Sequence, residues 1–460
     1  MGHGDLERSL GLYSTMMISM GAMIGSGIFV LPALGYKKAG PAVVIAYVLA
    51  AIVVLPAALS KAEMSTAMPE SGGTYLYIDR ALGPLFGTIA GIGAWFSLVF
   101  KSSFALVGLG AYLLLLAPIS QGGIELVALA LGALVVGLNI SGTKLSGQVQ
   151  AVIVSVVILG ITAYAINAGF VGDPARFTPV RTNGNTGIIT AAAFVFVSYA
   201  GVTKVASVAE EVKAPDRNLP RAILGSLAIM SLLYVGVVAA IIGLTDAETL
   251  TTSGPDGTAS LTPMADGAEV LFGGFGVVLI SVLAVVALTS MANAGILASS
   301  RFPLAMSRDR LLPPKLQTID RRFKTPRNSI LLTGAVLLLL IAFVPVVELA
   351  KLASAFQILV FSIINTALIA FRMADRPSYE PAFVAPGYPY VQLFGVLAGG
   401  VLLTQMGSGP LLGAVGIIVG GTVIYVLYGR SRTDRTGAVG EIIRRRRGED
   451  DTEAVSTKTD

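Results

Sequence analysis

An all-α integral membrane protein with about 12 transmembrane helices is the fold class this sequence predicts, and three observations carry it. Charged residues make up 13% of the chain and hydrophobic residues 54%, whereas a soluble domain is about one-quarter charged. Mean hydropathy is +0.78. Apolar runs of roughly 20 residues, the length that crosses a bilayer, recur from Leu10 onward between short polar links.

In order, the spans are expected at residues 10–36, 41–64, 82–116, 123–141, 147–168, 186–212, 219–245, 267–302, 328–346, 348–372, 388–406 and 410–428. The third and eighth exceed one crossing, so they should tilt or project. Residues 1–9 read as an N-terminal tail, 10–428 as the membrane domain and 429–460 as a disordered C-terminal tail containing the charge block Arg444–Arg447. The first span is expected to be retained, since it is long for a signal peptide and no small-residue cleavage site follows it. With the N-terminus inside, the outer links carry only Lys37, Lys38, Arg176, Arg181 and Lys351. Most other Lys and Arg, including the dense link 301–327, then fall inside, which places both termini in the cytoplasm.

The composition also excludes chemistry. There is no cysteine, and the one histidine, His3, lies in the N-terminal tail, so thiol catalysis, disulfides and a Cys/His metal site are ruled out. The net charge of +5 follows membrane topology and gives no reason to expect nucleic acid. "PESGGTYLY" lacks the lysine of a phosphate loop, so no nucleotide site is expected.

Two spans look interrupted at mid-depth. In "MGAMIGSGIF", Gly21, Gly25 and Gly27 weaken the first, each by about 1 kcal/mol relative to Ala. In "FVFVSYAGVTKVASVAEE", Ser198, Tyr199, Ala200 and Gly201 interrupt the sixth. Non-helical backbone at that depth is tolerated where it is buried or lines a wet cavity. Freed N–H groups there attract anions and freed carbonyls attract cations. A pair of breaks five spans apart points to a secondary transporter built from two inverted halves. The competing explanation is close helix packing through small residues, Gly21 and Gly25 being four apart.

These stretches, together with "MPESGGTYLYIDRALGPLFGTIAG", "VASVAEEVKAPDRNLPRAI", "ASSRFPLAMSRDRLLP" and "APGYPYVQLFG", resemble in order the signatures of the amino acid–polyamine–organocation transporters. The resemblance runs from Leu10 to Arg430. It implies a LeuT-like 5+5 inverted repeat, residues 10–168 and 186–372, plus two C-terminal helices at 388–428, with helices 1 and 6 broken at mid-membrane. It implies alternating-access transport of an amino acid or related amine, embedded in the cell membrane and needing no cofactor. By position, Gly25, Ser26 and Gly27 would donate to a substrate carboxylate, and Ala22 and Met23 would offer carbonyls to its ammonium. Val197, Ser198, Tyr199, Ala200 and Gly201 match the unwound part of span 6, with Tyr199 as the expected lid.

Ionisable groups within spans are functional candidates. Lys101 in span 3 and Lys204 in span 6 are the two that stand out, either at a coupling-ion site or snorkelling to water. Proton-coupled relatives often carry a lysine in span 5. Here Val157 stands near that place and the span has no charge, which departs from the pattern. Thr289, Ser290 and Asn293 in span 8 could hold Na⁺ with span-1 carbonyls, unless they bond back to their own helix. Sodium symport, proton symport and ion-independent exchange all stay open. Glu210 and Glu211 are expected to latch the inner gate. No acidic residue stands at mid-membrane to select a cationic side chain, and the small apolar residues around it favour a neutral amino acid. The alternatives are a polyamine or organocation antiporter, an ion channel, and a membrane hydrolase, for which the spans lack a constellation. Nothing in the sequence selects an oligomeric state.

Overall fold

The computed structural model describes residues 8–69, 73–117, 123–142, 147–180, 182–374, 379–433 and 435–440. These form helices and turns, with one isolated β-bridge between Leu10 and Val212. The block Arg444–Arg447, His3 and residues 70–72 of the "PESGG" motif lie outside the described residues.

The first apolar run is divided. Helix α1 (Leu12–Met23) stops before Ile24 and Gly25, a short α2 (Ser26–Phe29) follows, and α3 (Leu31–Ala39) resumes after Val30 leaves helical geometry. Helix α4 (Val43–Ala67) is the second run, and α5 (Gly73–Leu82) is an amphipathic link. Helix α6 (Pro84–Leu116) begins at a proline whose missing N–H costs nothing in a first turn. Helices α7 (Ile124–Ile140) and α8 (Gly147–Val171) follow. Then α9 (Gly184–Val195) passes directly into a 3₁₀ run, Phe196–Glu211.

The second half of the chain contains α10 (Pro215–Leu244), the short α11 (Ala247–Thr252) and the long α12 (Pro263–Arg308). Asp246 caps α11 by accepting the Thr249 amide at 2.8 Å. A straight helix of 46 residues would run about 69 Å, well beyond a bilayer. The chain bends at Gly273, which has φ +58°, so the span proper begins after that residue rather than at 267. Helices α13 (Arg327–Phe343), α14 (Val346–Ala374), α15 (Tyr390–Thr404) and α16 (Ser408–Ile424) complete the set.

Among the described residues, eight helical stretches are long and apolar enough to cross a membrane; α7, α13 and α15 are apolar but shorter. This is a multi-pass membrane protein. Helix α6 packs along both α12 and α14, while α1 packs on the 3₁₀ run, α8 and α10. Leu, Val and Phe side chains of α7, α8, α15 and α16 face outward, as lipid-facing surfaces require.

The expectation of a disordered tail from 429 needs correction over its first part. Residues 435–440 lie against α5, with Ala438 fully buried and Gly437 packed on the Gly83 backbone.

Candidate functional site

Helix α1 and the 3₁₀ run meet backbone to backbone. A Cβ on Gly201 would lie 2.4 Å from the Ala22 carbonyl carbon, and one on Gly27 would lie 2.7 Å from Ser198 Oγ. At Gly201 no other residue permits this approach without displacing main chain, and at Gly27 a Cβ would press on the Ser198 side chain. Close packing is therefore a real part of what these glycines do. The change to 3₁₀ winding after Val195 is held by Ser354 of α14, which accepts the Val197 amide at 3.1 Å and donates to the Phe194 carbonyl at 2.7 Å. The expected interruption of span 6 is thus a tightening of the helix, without an unwound gap.

Carbonyls around the α1–α2–α3 interruption are satisfied by tyrosines. Tyr47 donates to Gly27 O at 2.7 Å and Tyr112 to Phe29 O at 2.8 Å. The Tyr234 hydroxyl lies 2.8 Å from Met23 O and 3.1 Å from Ser198 O, tying the two interrupted runs together. Tyr199, expected as a lid, is placed elsewhere. It is fully buried, donates to Tyr47 O at 3.0 Å and packs edge-on against Tyr234, with ring centroids 5.1 Å apart. This aromatic block seals one side of the interruption.

On the other side lies a cavity of about 740 Å³. Ala22, Ala200 and Gly201 form its inner end, and exposed Arg301 and Arg308 line its mouth. It therefore opens toward the Arg-rich 301–327 link. Three of the expected substrate residues, Ala22, Ala200 and Gly201, are in its wall. Met23, Val197 and Ser198 are buried outside the lining. Gly25, Ser26 and Gly27 are also buried, behind Met291 of α12. Met291 lines the cavity, and its Sδ fills the space where a Gly25 Cβ would stand, 2.0 Å away; Ser26 Oγ is 4.0 Å from the same sulfur. The sequence reading missed Met291, because an apolar residue in an apolar span carries no signal.

Both lysines singled out in spans 3 and 6 reach this cavity. Lys101 Nζ donates to Ala22 O at 3.1 Å, and Lys204 Nζ donates to Ala294 O at 3.1 Å. A third, Lys61, lines it as well and donates to Thr74 Oγ1 at 2.7 Å. Sequence reading passed over Lys61 because it stands near a span end, where lysines commonly snorkel.

The expected cation ligands of span 8 are not gathered at the interruption. Thr289 is exposed, Ser290 is half-buried outside the cavity lining, and Asn293 Oδ1 accepts from Asn139 Nδ2 at 2.7 Å. The face of α12 on the cavity is Met291, Gly295, Ala298, Phe302 and Ala305. At 100° per residue, Thr289 and Asn293 turn away from that stripe. Val157 is buried in α8. The Glu210–Glu211 region is joined to the chain's start through backbone: Leu10 N donates to Glu211 O at 2.9 Å and Lys213 N to Leu10 O at 2.8 Å.

Two charged clamps brace the open side. Glu63, fully buried, accepts from Arg372 Nε at 2.8 Å and from Arg372 Nη2, from the Ala385 amide at 2.7 Å and from Tyr379 Oη at 3.1 Å. Arg435 Nη1 bridges Asp79 at 3.2 Å and Asp309 at 3.0 Å, and Tyr75 donates to Asp309 at 2.7 Å. Burial pushes the Asp79 carboxyl up to about 6, against the opposing pull of Arg435.

A divided first span, a tightened sixth run touching it, and a one-ended cavity between them describe a polytopic permease-like protein. The family model described as amino acid permease matches residues 10–436. The chain belongs to that family of amino acid permeases, within the amino acid–polyamine–organocation transporters. It is similar to the branched-chain amino acid permease BcaP of Bacillus subtilis, 31% identical over 94% of this chain and 95% of the relative. It is similar to the methylthioribose transporter of the same organism, 30% identical over 93% of this chain and 95% of the relative. The serine/threonine exchanger SteT of Bacillus subtilis is 26% identical over 93% of this chain and 98% of the relative.

Proposed function

We propose that the protein is a secondary active amino acid transporter of the cell membrane, working by alternating access on a 12-helix, LeuT-like inverted repeat. The observation that carries this is the one-ended cavity closing on Ala22, Ala200 and Gly201 where the two interrupted runs touch. Its volume suits a small molecule. A cavity sealed at one end and open at the other is what a carrier presents in one of its two states, whereas a conducting channel needs both ends open. The Arg-rich mouth is taken as cytoplasmic, so the described state faces inward.

In this reading the substrate enters beside Ala22 and Gly201, and Met291 swings away to give its carboxylate the amides of Gly25, Ser26 and Gly27. Transport then needs binding and conformational exchange, with no bond made or broken and no cofactor. Exchange or proton-linked symport is favoured over sodium symport, because Thr289 and Asn293 are turned from the interruption. The names of BcaP and SteT support an amino acid as substrate, and small residues near the interruption favour a neutral one. The lysines in the cavity wall weigh against that neutral preference, and against a polyamine.

Counterflow in proteoliposomes tests the proposal. Vesicles loaded with unlabelled amino acids, without an ion gradient, should accumulate at least one labelled amino acid above equilibrium. Absence of accumulation for every amino acid, with folded protein in tight vesicles, would sink it.

A further inference from the structure

Lys61 and Lys101 are 1% and 4% exposed, and both line the cavity. Each gives a hydrogen bond to a neutral oxygen, Thr74 Oγ1 and Ala22 O respectively. Neither has a carboxylate within ion-pair distance among the described residues. Buried charges in folded proteins are ordinarily paired. The other buried charges near this end follow that rule: Glu63 has Arg372, and Asp79 has Arg435. Among the described residues these two lysines share one cavity wall without a protein anion, so a negative charge bound in the cavity would complete the ion pairs that they lack.

The rest of the wall has the same imbalance of charge. Lys204, Arg301 and Arg308 also line the cavity, against two carboxylates, Glu211 and Asp309. Asp309 is already engaged by Arg435 and Tyr75. The carbonyls at the end of α1 are in use too: the Lys101 ammonium holds Ala22 O and the Tyr234 hydroxyl holds Met23 O. The inner end is therefore supplied with a cation of its own.

Resting on the transporter reading above, we infer that the cavity selects a substrate of net negative charge, an amino acid with a second carboxylate, which Lys101 and Lys61 recognise. Lys101 meets this carboxylate at the inner end, and Lys61 with the arginines draws it in from the mouth. A lysine is suited to that task as a compact point charge on a flexible stem. A zwitterion with an uncharged side chain brings one carboxylate, balanced by its own ammonium; with that carboxylate on the Gly25, Ser26 and Gly27 amides, neither lysine gains a counter-charge, and a cationic side chain adds repulsion.

The test is counterflow with purified full-length protein, comparing labelled L-glutamate with its near-isostere L-glutamine and with L-leucine. The expected result is glutamate uptake at least tenfold above glutamine. In Lys101→Met that ratio should fall at least tenfold, and in Lys61→Met it should fall several-fold. Glutamine or leucine exchanged as fast as glutamate would overturn the inference while leaving the transporter reading standing. So would an unchanged ratio in both variants. Exchange of no amino acid would remove the transporter reading, and this inference with it. The wild-type ratio decides the matter even where a lysine variant fails to fold.

Discussion

The two sides of the interrupted first span are held by different chemistry. On the sealed side, Tyr47, Tyr112, Tyr199 and Tyr234 are fully buried and each donates a neutral hydroxyl to a backbone carbonyl. On the open side, bracing is by charge: Glu63 with Arg372, and Arg435 between Asp79 and Asp309. A dry region makes an unpaired charge very costly, so a hydroxyl that both packs and donates is the cheaper partner for a freed carbonyl. Beside the open mouth the Glu63 and Asp79 carboxylates are buried, but the guanidiniums of Arg372 and Arg435 are partly exposed and keep part of their hydration. In the described state the sealed side is closed by packed core, whereas the open side is braced by ion pairs.

Four variants can break or sharpen that contrast. The largest effect is expected at the contact common to both sides. Gly201→Leu drives a side chain into the Ala22 carbonyl, so uptake should fall to background. Overpacking of this kind costs about 1–3 kcal/mol, and size-exclusion chromatography would separate a folded, inactive protein from a misfolded one. Activity retained at wild-type level would show that the two runs can part freely.

Next comes the open-side clamp. Glu63→Gln leaves Arg372 without its buried carboxylate and should destabilise the protein by about 3 kcal/mol, read as a lowered Tm in detergent. On the sealed side, Tyr234→Phe strips the shared donor from Met23 O and Ser198 O, a loss of about 1–2 kcal/mol. The contrast would weaken if this neutral removal cost more than the charged one.

The smallest effect is a pH profile. Asp79, held up at about 6 by burial, binds its proton more tightly folded than unfolded. Between about pH 4 and 6 the folded state carries more protons, so stability should fall as pH rises across that window. Asp79→Asn should flatten the Tm profile there. An unchanged profile would mean that another group titrates.

Much of this protein is decided by composition and periodicity. Apolar runs near 20 residues make membrane helices because lipid offers the backbone no hydrogen bonds, and that constraint is local to each run. The division at Ile24–Gly25 is similarly legible, since clustered glycines weaken a helix wherever they occur. What the chain could not declare by itself is which atoms finish the job. Ser354 turns α9 into a 3₁₀ run from 160 residues away from Phe194. Met291 stands against Gly25 from a different helix, and Tyr199 faces the sealed core instead of the cavity. Thr289 and Asn293, adequate as ligands by type, are turned aside by the rotation of α12. Residue type and spacing set what each helix can bury, but the partner of a freed carbonyl or a buried lysine depends on how helices rotate and approach. Only the packed tertiary structure determines that.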